Sequence, residues 1–125
     1  MHILLVAALL TSAPSFSGDW ITADQSAVVR IGPCGAGICG NIVRVLASGA
    51  PGSDVNNPDR ALRSRPLAGI AVLSDFTPAG SGGHAYDPKT GRSYSASLHL
   101  NADGTLRVTG CVAFICRSQV WTRRR

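Results

Sequence analysis

Two triplets near the extremities, Gly18-Asp19-Trp20 and Trp121-Thr122-Arg123, do most to limit what this 125-residue chain can become. A Gly-x-Trp on a first strand and an Arg closing a last strand suit a small β-barrel whose ends meet. The Arg123 guanidinium then stacks on the Trp20 indole as a latch, a contact worth roughly 0.5–2 kcal/mol. The composition of the whole chain favours strands over helices. Its cations are eleven Arg and one Lys, and its acids are seven Asp with no Glu. The usual formers of a solvated helix face are therefore almost missing, while 14 Gly and many Val, Ile, Thr and Ser suit strands and turns.

Strand signals recur at short spacing over residues 20–22, 26–31, 39–46, 67–73, 84–86, 92–100, 105–109 and 118–123, each bounded by Gly, Pro, Asn or Asp. The clearest is 92–100, where Tyr94, Ala96, Leu98 and Leu100 share one face and Ser93, Ser95, Ser97 and His99 the other. It runs into Asn101-Ala102-Asp103-Gly104, a hairpin turn, and is preceded by another at Asp87-Pro88-Lys89-Thr90-Gly91. No strand alternates with a long amphipathic helix, so a parallel βαβ sheet is not expected. The long irregular piece, residues 47–66, contains Asn57-Pro58-Asp59, which reads as an N-cap, a first-turn proline and an acidic first turn. One or two helical turns over residues 58–63 follow. The fold class expected is all-β, a small antiparallel barrel with one short helix in a long loop.

Residues 1–17 read as a signal peptide. Ile3 to Leu10 form an apolar run far below the roughly 20 residues that span a bilayer, and Ser15-Phe16-Ser17 suits cleavage after Ser17. Residues 18–125 are then a single barrel domain, periplasmic or secreted and not membrane-spanning. In such a compartment the four cysteines become disulfides, each worth roughly 2–4 kcal/mol. Cys34 and Cys39 face each other if Ala36-Gly37 is a two-residue loop, and Cys111 and Cys116 can pair if a turn or bulge interrupts Val112-Ala113-Phe114-Ile115. Two local bridges are expected, ahead of cross-pairing between the segments. The x4 spacings do not suit a zinc knuckle.

In their order and spacing, several short pieces resemble a family of exported bacterial proteins, domain of unknown function family 2147. They are Gly18-x-Trp20; Cys34 and Cys39-Gly40; Asn57-Pro58-Asp59 with Leu62-Arg63-x-Arg65-Pro66-Leu67-x-Gly69; Gly83-x-x-Tyr86-Asp87-Pro88; Gly91-x-x-Tyr94; and Gln119-x-Trp121-x-Arg123. The resemblance runs from Gly18 to Arg123 and implies a compact lipocalin-like barrel without an assigned catalytic activity. Where the family usually carries a Trp just before the Gly-rich tip, this chain has Ala79-Gly80-Ser81. If that Trp covers a pocket mouth, a more open pocket is expected here.

Catalytic and metal constellations are poor. Ser97 and His99 lie on the polar face of one strand, Gly-x-Ser-x-Gly is absent, and seven scattered Asp do not make a hydrolytic pair. Reading Asp54 as the first position of a calcium loop puts Asp59 where Gly is needed and Arg65 where a bidentate Glu belongs. No cofactor or metal is expected. Arg63 and Arg65, with Tyr86, are the candidates for contact with a ligand or anion, the rival role for the two arginines being pairing with Asp54 or Asp59 to hold the loop. A net charge of +5 favours anionic partners, but too few aromatics lie among the cations for nucleic acid. The expectation is a monomeric, non-catalytic binding barrel that takes a small, partly apolar molecule. The alternative is an envelope interaction protein whose basic surface contacts anionic glycan, lipid headgroup or a protein partner.

Overall fold

The computed structural model describes residues 15–125, and the expected leader lies outside it up to residue 14. Eight antiparallel strands follow one another round a closed barrel: β1 Gly18–Ile21, β2 Ala27–Cys34, β3 Gly37–Val45, β4 Ala71–Phe76, β5 Gly83–Asp87, β6 Arg92–Leu100, β7 Leu106–Val112 and β8 Ile115–Arg123. Every strand pairs with its sequence neighbours, and β1 closes the circle on β8. The closing seam is short, Trp20 opposite Arg123 and Ile21 opposite Thr122.

Because the strands simply alternate in direction, the connections sort into two ends. At the mouth lie the β1–β2 turn, the long β3–β4 loop, the β5–β6 turn and the β7–β8 turn. At the other end lie residues 15–17, the β2–β3 turn, the 77–82 tip and the β6–β7 turn. This second end is filled solid. Trp20, Ile31, Phe76 and Leu106 have at most 2% of their surface exposed, and the partly buried Phe16 packs against the same cluster.

The latch accounts for the Gly-x-Trp signature. The Arg123 guanidinium carbon lies 4.2 Å from the centroid of the Trp20 ring, and its two terminal nitrogens donate to the carbonyls of Ser17 and Ser15 at 2.9 and 3.1 Å. The Trp20 indole N–H donates to the Phe16 carbonyl at 2.8 Å. Gly18 sits at φ +136°, and a Cβ there would stand 2.6 Å from an Arg123 nitrogen. Only glycine lets the guanidinium lie across the start of β1. Residues 15–17 thus lie against the barrel although the sequence reading assigns them to the leader.

Three sequence expectations need correction. Cys34 and Cys39 are free thiols, not a disulfide. The two-residue loop is Gly35-Ala36, one residue earlier than expected, with Gly35 at φ +60°. Cys34 therefore pairs with Gly37, and Cys39 with Gly32. The thiols are diagonal neighbours, and the adjacent Cys34 together with partial burial pushes the Cys39 thiol up to about 11. The expected helix is a single 3-10 turn, Arg60–Leu62, capped by Asp59 rather than Asn57, because the Asn57 side chain is spent accepting from the Asp59 N–H. Finally, the 77–82 tip is at the sealed end, not the mouth. Gly80 makes room there for the Phe16 ring, so the missing family Trp does not open the pocket.

The other local pairing is present. Cys111 and Cys116 are bonded and directly opposed across β7 and β8, Cα atoms 4.1 Å apart. Ala113 supplies the turn that Val112-Ala113-Phe114-Ile115 lacks in composition, at φ +53°.

Candidate functional site

Side chains alternate across each strand, so one residue in two faces the lumen. Near the sealed end these are large. Toward the mouth they become small or branched, with Val29, Ile42, Val72, Ala85, Val108 and Gly110 on the wall. The space they leave is a cavity of about 870 Å³. Trp121, 7% exposed, belongs to its lining, its indole N–H donating to the Gln119 side chain at 3.2 Å.

The rim is polar and carries both signs, Asp24 and Asp87 against Lys89, Arg92 and Arg117, with a net positive charge. Arg92 at the start of β6 and Arg117 on β8 both line the cavity, together with Tyr94 and Gln119. Among the described residues neither arginine forms an ion pair. Lys89, by contrast, is paired with Asp24. That pair joins the β5–β6 turn to the β1–β2 turn, which stand on opposite walls, and so strings a strap across the mouth.

The long loop covers part of the same opening. Its centre is Asp54, fully buried. The carboxylate accepts from the Tyr86 hydroxyl at 2.7 Å, the Asn57 amide at 2.8 Å and the Arg65 guanidinium at 3.0 Å. Burial works to raise the Asp54 pKa, but the hydrogen bonds from Asn57, Tyr86 and Arg65 and the Arg65 charge together hold it below the usual carboxylate value. The Tyr86 hydroxyl, buried and donating to Asp54, is pushed up to about 12. Arg63 donates to the Asn57 carbonyl at 2.7 Å. The loop is pinned to the barrel by the Asn56 amide, which donates to the Pro88 and Lys89 carbonyls at 3.1 and 3.0 Å. Gly91, at φ +73°, must be glycine because a Cβ would run into the Asn56 carbonyl.

Of the three ligand or anion candidates, Arg63 and Arg65 therefore find their partners inside the loop, and Tyr86, among the lining residues of the cavity, has its hydroxyl on Asp54 and its ring 6.0 Å from the Arg65 guanidinium. Arg92 and Arg117 are the lumen cations that the sequence reading missed. The signal was available for one: Arg92 has the parity of Tyr94, Ala96, Leu98 and Leu100, the face already assigned to the interior. Ser97 and His99 are exposed on the opposite face.

An eight-stranded antiparallel barrel packed at one end and hollow at the other defines the lipocalin-like class. A family model described as an uncharacterized protein conserved in bacteria (DUF2147) matches residues 18–123, and the chain belongs to that family. Among solved structures the chain is similar to protein HP1028 from Helicobacter pylori, described as belonging to the lipocalin family. The TM-score is 0.79 at 21% identity, covering 90% of this chain and 85% of the other. At that identity the likeness concerns the fold alone. No curated protein matches the sequence. No helix among the described residues is long and apolar enough to cross a membrane.

Proposed function

We propose that this protein is an exported, non-catalytic binding barrel that holds a small, partly apolar molecule in its lumen. The observation that carries the reading is the 870 Å³ cavity with an apolar wall below a polar rim, a size within the range of small-molecule pockets, about 300–1,000 Å³. An acyl or terpenoid portion would lie along Val29, Val72, Val108 and Trp121. Each methylene removed from water contributes about 0.8 kcal/mol. The polar end would stay at the mouth beside Arg92, Tyr94, Arg117 and Gln119. Export is supported by the apolar run at residues 3–10 and by the Cys111–Cys116 bond, a cross-link that persists in oxidising compartments.

The test is displacement of a lumen-bound hydrophobic fluorophore, 1-anilinonaphthalene-8-sulfonate, by medium-chain fatty acids and alcohols. The wild type is expected to bind the dye and release it to these competitors, and Ala85→Phe, which fills the wall, to lose dye binding at least tenfold with its melting temperature preserved. Dye binding that is unaffected by Ala85→Phe, or absent from the wild type, would overturn the lumen as the site.

A further inference from the structure

The β7–β8 hairpin ends in four consecutive apolar residues, Val112-Ala113-Phe114-Ile115, and it stands at the mouth. Phe114 is wholly exposed, Ile115 is 73% exposed and Val112 59%. A single exposed apolar side chain calls for no explanation, but a contiguous apex does. Nor do these residues serve the turn. A two-residue hairpin loop forms most easily with Asn-Gly or a similar pair, whereas here Ala113 takes φ +53° and the adjoining Cys111–Cys116 bond clamps the strands below it.

The apex is continuous with the lumen. Val112 and Ile115 line the cavity together with Val108 and Trp121, so an apolar surface runs from the wall of the binding site up to Phe114. On the loop side of the same rim Val55 lines the cavity and is 45% exposed. The rim also carries Arg92 and Arg117, neither of them ion-paired among the described residues; Lys89 and Asp24 offset each other, and the one further lining carboxylate, Asp87, accepts from the Lys89 N–H, which leaves the rim with a net positive charge. A strand rises about 3.3 Å per residue, which puts the Arg117 backbone roughly 7 Å along the strand from Ile115. An interfacial apolar element sinks about 5–10 Å into the boundary between headgroups and acyl chains. With the apex at that depth, the arginines meet the phosphates.

We propose that the mouth end docks on an anionic lipid bilayer, with Phe114 and Ile115 in the acyl boundary and Arg92 and Arg117 among the headgroup phosphates, so that the lumen opens against the membrane. Charge chooses this occupant over a second copy of the chain. An isologous contact brings the same patch of both copies together and so sets these cations against one another, whereas anionic headgroups complement them. The proposal goes beyond the binding reading, since a loaded lumen does not require docking and docking does not require a loaded lumen.

The experiment is co-sedimentation of the disulfide-bonded protein with vesicles of phosphatidylglycerol and phosphatidylethanolamine, and with vesicles of phosphatidylcholine alone, at low and high salt. Dye binding in the lumen and gel-filtration mass are measured on the same samples. The wild type is expected to sediment with the anionic vesicles only and to be released by salt. Phe114→Asp and the double variant Arg92→Gln with Arg117→Gln are each expected to weaken this at least tenfold. Phe114→Asp should keep the wild-type melting temperature and dye affinity. Phe114→Trp is expected to give a blue-shifted emission on vesicle addition, quenched by brominated acyl chains. Absence of wild-type sedimentation, equal sedimentation of Phe114→Asp, or a dimer abolished by Phe114→Asp without vesicle binding would each overturn the proposal, the last in favour of a self-association surface. Intact dye binding in any of these cases would leave the lumen reading standing.

Discussion

The two ends of the barrel are built from the same eight strands and use their inward positions in opposite ways. At the sealed end the inward residues are Trp20, Ile31, Phe76 and Leu106, packed without exposure and tied down by Arg123 and Phe16. At the mouth the same parity delivers Ala85, Gly110, Tyr94, Arg92 and Arg117, which do not fill the space between the walls. Hydrophobic stabilisation scales with apolar area removed from water, so stability concentrates at one end and the other is left available for a guest. Substitutions at the sealed end should therefore act on folding, and substitutions at the mouth on binding.

The largest expected effect is at the latch. Trp20→Ala deletes a fully buried indole and should cost about 3–5 kcal/mol, read as a large fall in melting temperature or loss of folding. Arg123→Ala removes only the stacked cation and its two hydrogen bonds, and about 1–2 kcal/mol is expected, with a change in Trp emission. If both variants melt like the wild type, the sealed end is not where stability resides.

Next comes the buried carboxylate under the mouth loop. Asp54→Ala leaves Arg65, Asn57 and Tyr86 without their acceptor and should cost about 3 kcal/mol. The pH dependence has a definite sign. Because the folded Asp54 is held below its ordinary value, near 3.9 when unfolded, its contribution is present above about pH 4 and is lost as pH falls through the folded value. Tyr86 is raised to about 12, so its contribution is present below about pH 10, the unfolded value, and is lost as pH rises toward 12. Urea melts of the wild type and Asp54→Asn should differ at neutral pH and approach each other as pH falls from about 4 through the folded value; a constant difference would remove Asp54 from this role.

The smallest contrast concerns the thiols. Reducing Cys111–Cys116 opens a loop of a few residues and should cost about 2 kcal/mol, whereas Cys34→Ser with Cys39→Ser, two free thiols at the sealed end, should change the melting temperature little under oxidising conditions. Equal effects would show that both pairs are bridged in solution.

Much of this contrast is legible in the sequence, because a half-buried strand alternates, as residues 92–100 and 105–109 do, and turn residues bound each strand signal. What escaped was fixed by where turns and strands begin. Moving the β2–β3 turn from Ala36-Gly37 to Gly35-Ala36 changes the partner of Cys34, since one residue of register exchanges every cross-strand neighbour. Starting β8 at Ser118, where the structure starts it at Ile115, hid Arg117 and Ile115 from the lumen, because nothing in Val112-Ala113-Phe114-Ile115 marks a turn until the disulfide fixes it. The start of β4 was placed too early for a related reason: Leu67 is engaged with the Gly52 carbonyl and Gly69 takes φ +101°, so the strand begins only at Ala71. The pairing of Arg65 with Asp54 inside the loop was one of the two roles the sequence offered, whereas the Tyr86 hydroxyl meets Asp54 across a separation of 32 residues, a contact that spacing alone does not encode.

The most direct test is an amide NMR titration of the folded protein with decanoic acid. The account predicts saturable shifts concentrated at Val29, Val72, Val108, Arg117 and Gln119, with Trp20, Phe76 and Leu106 unmoved. Shifts confined to the outer face of the strands, or no saturable shifts at all, would contradict a lumen that receives a ligand.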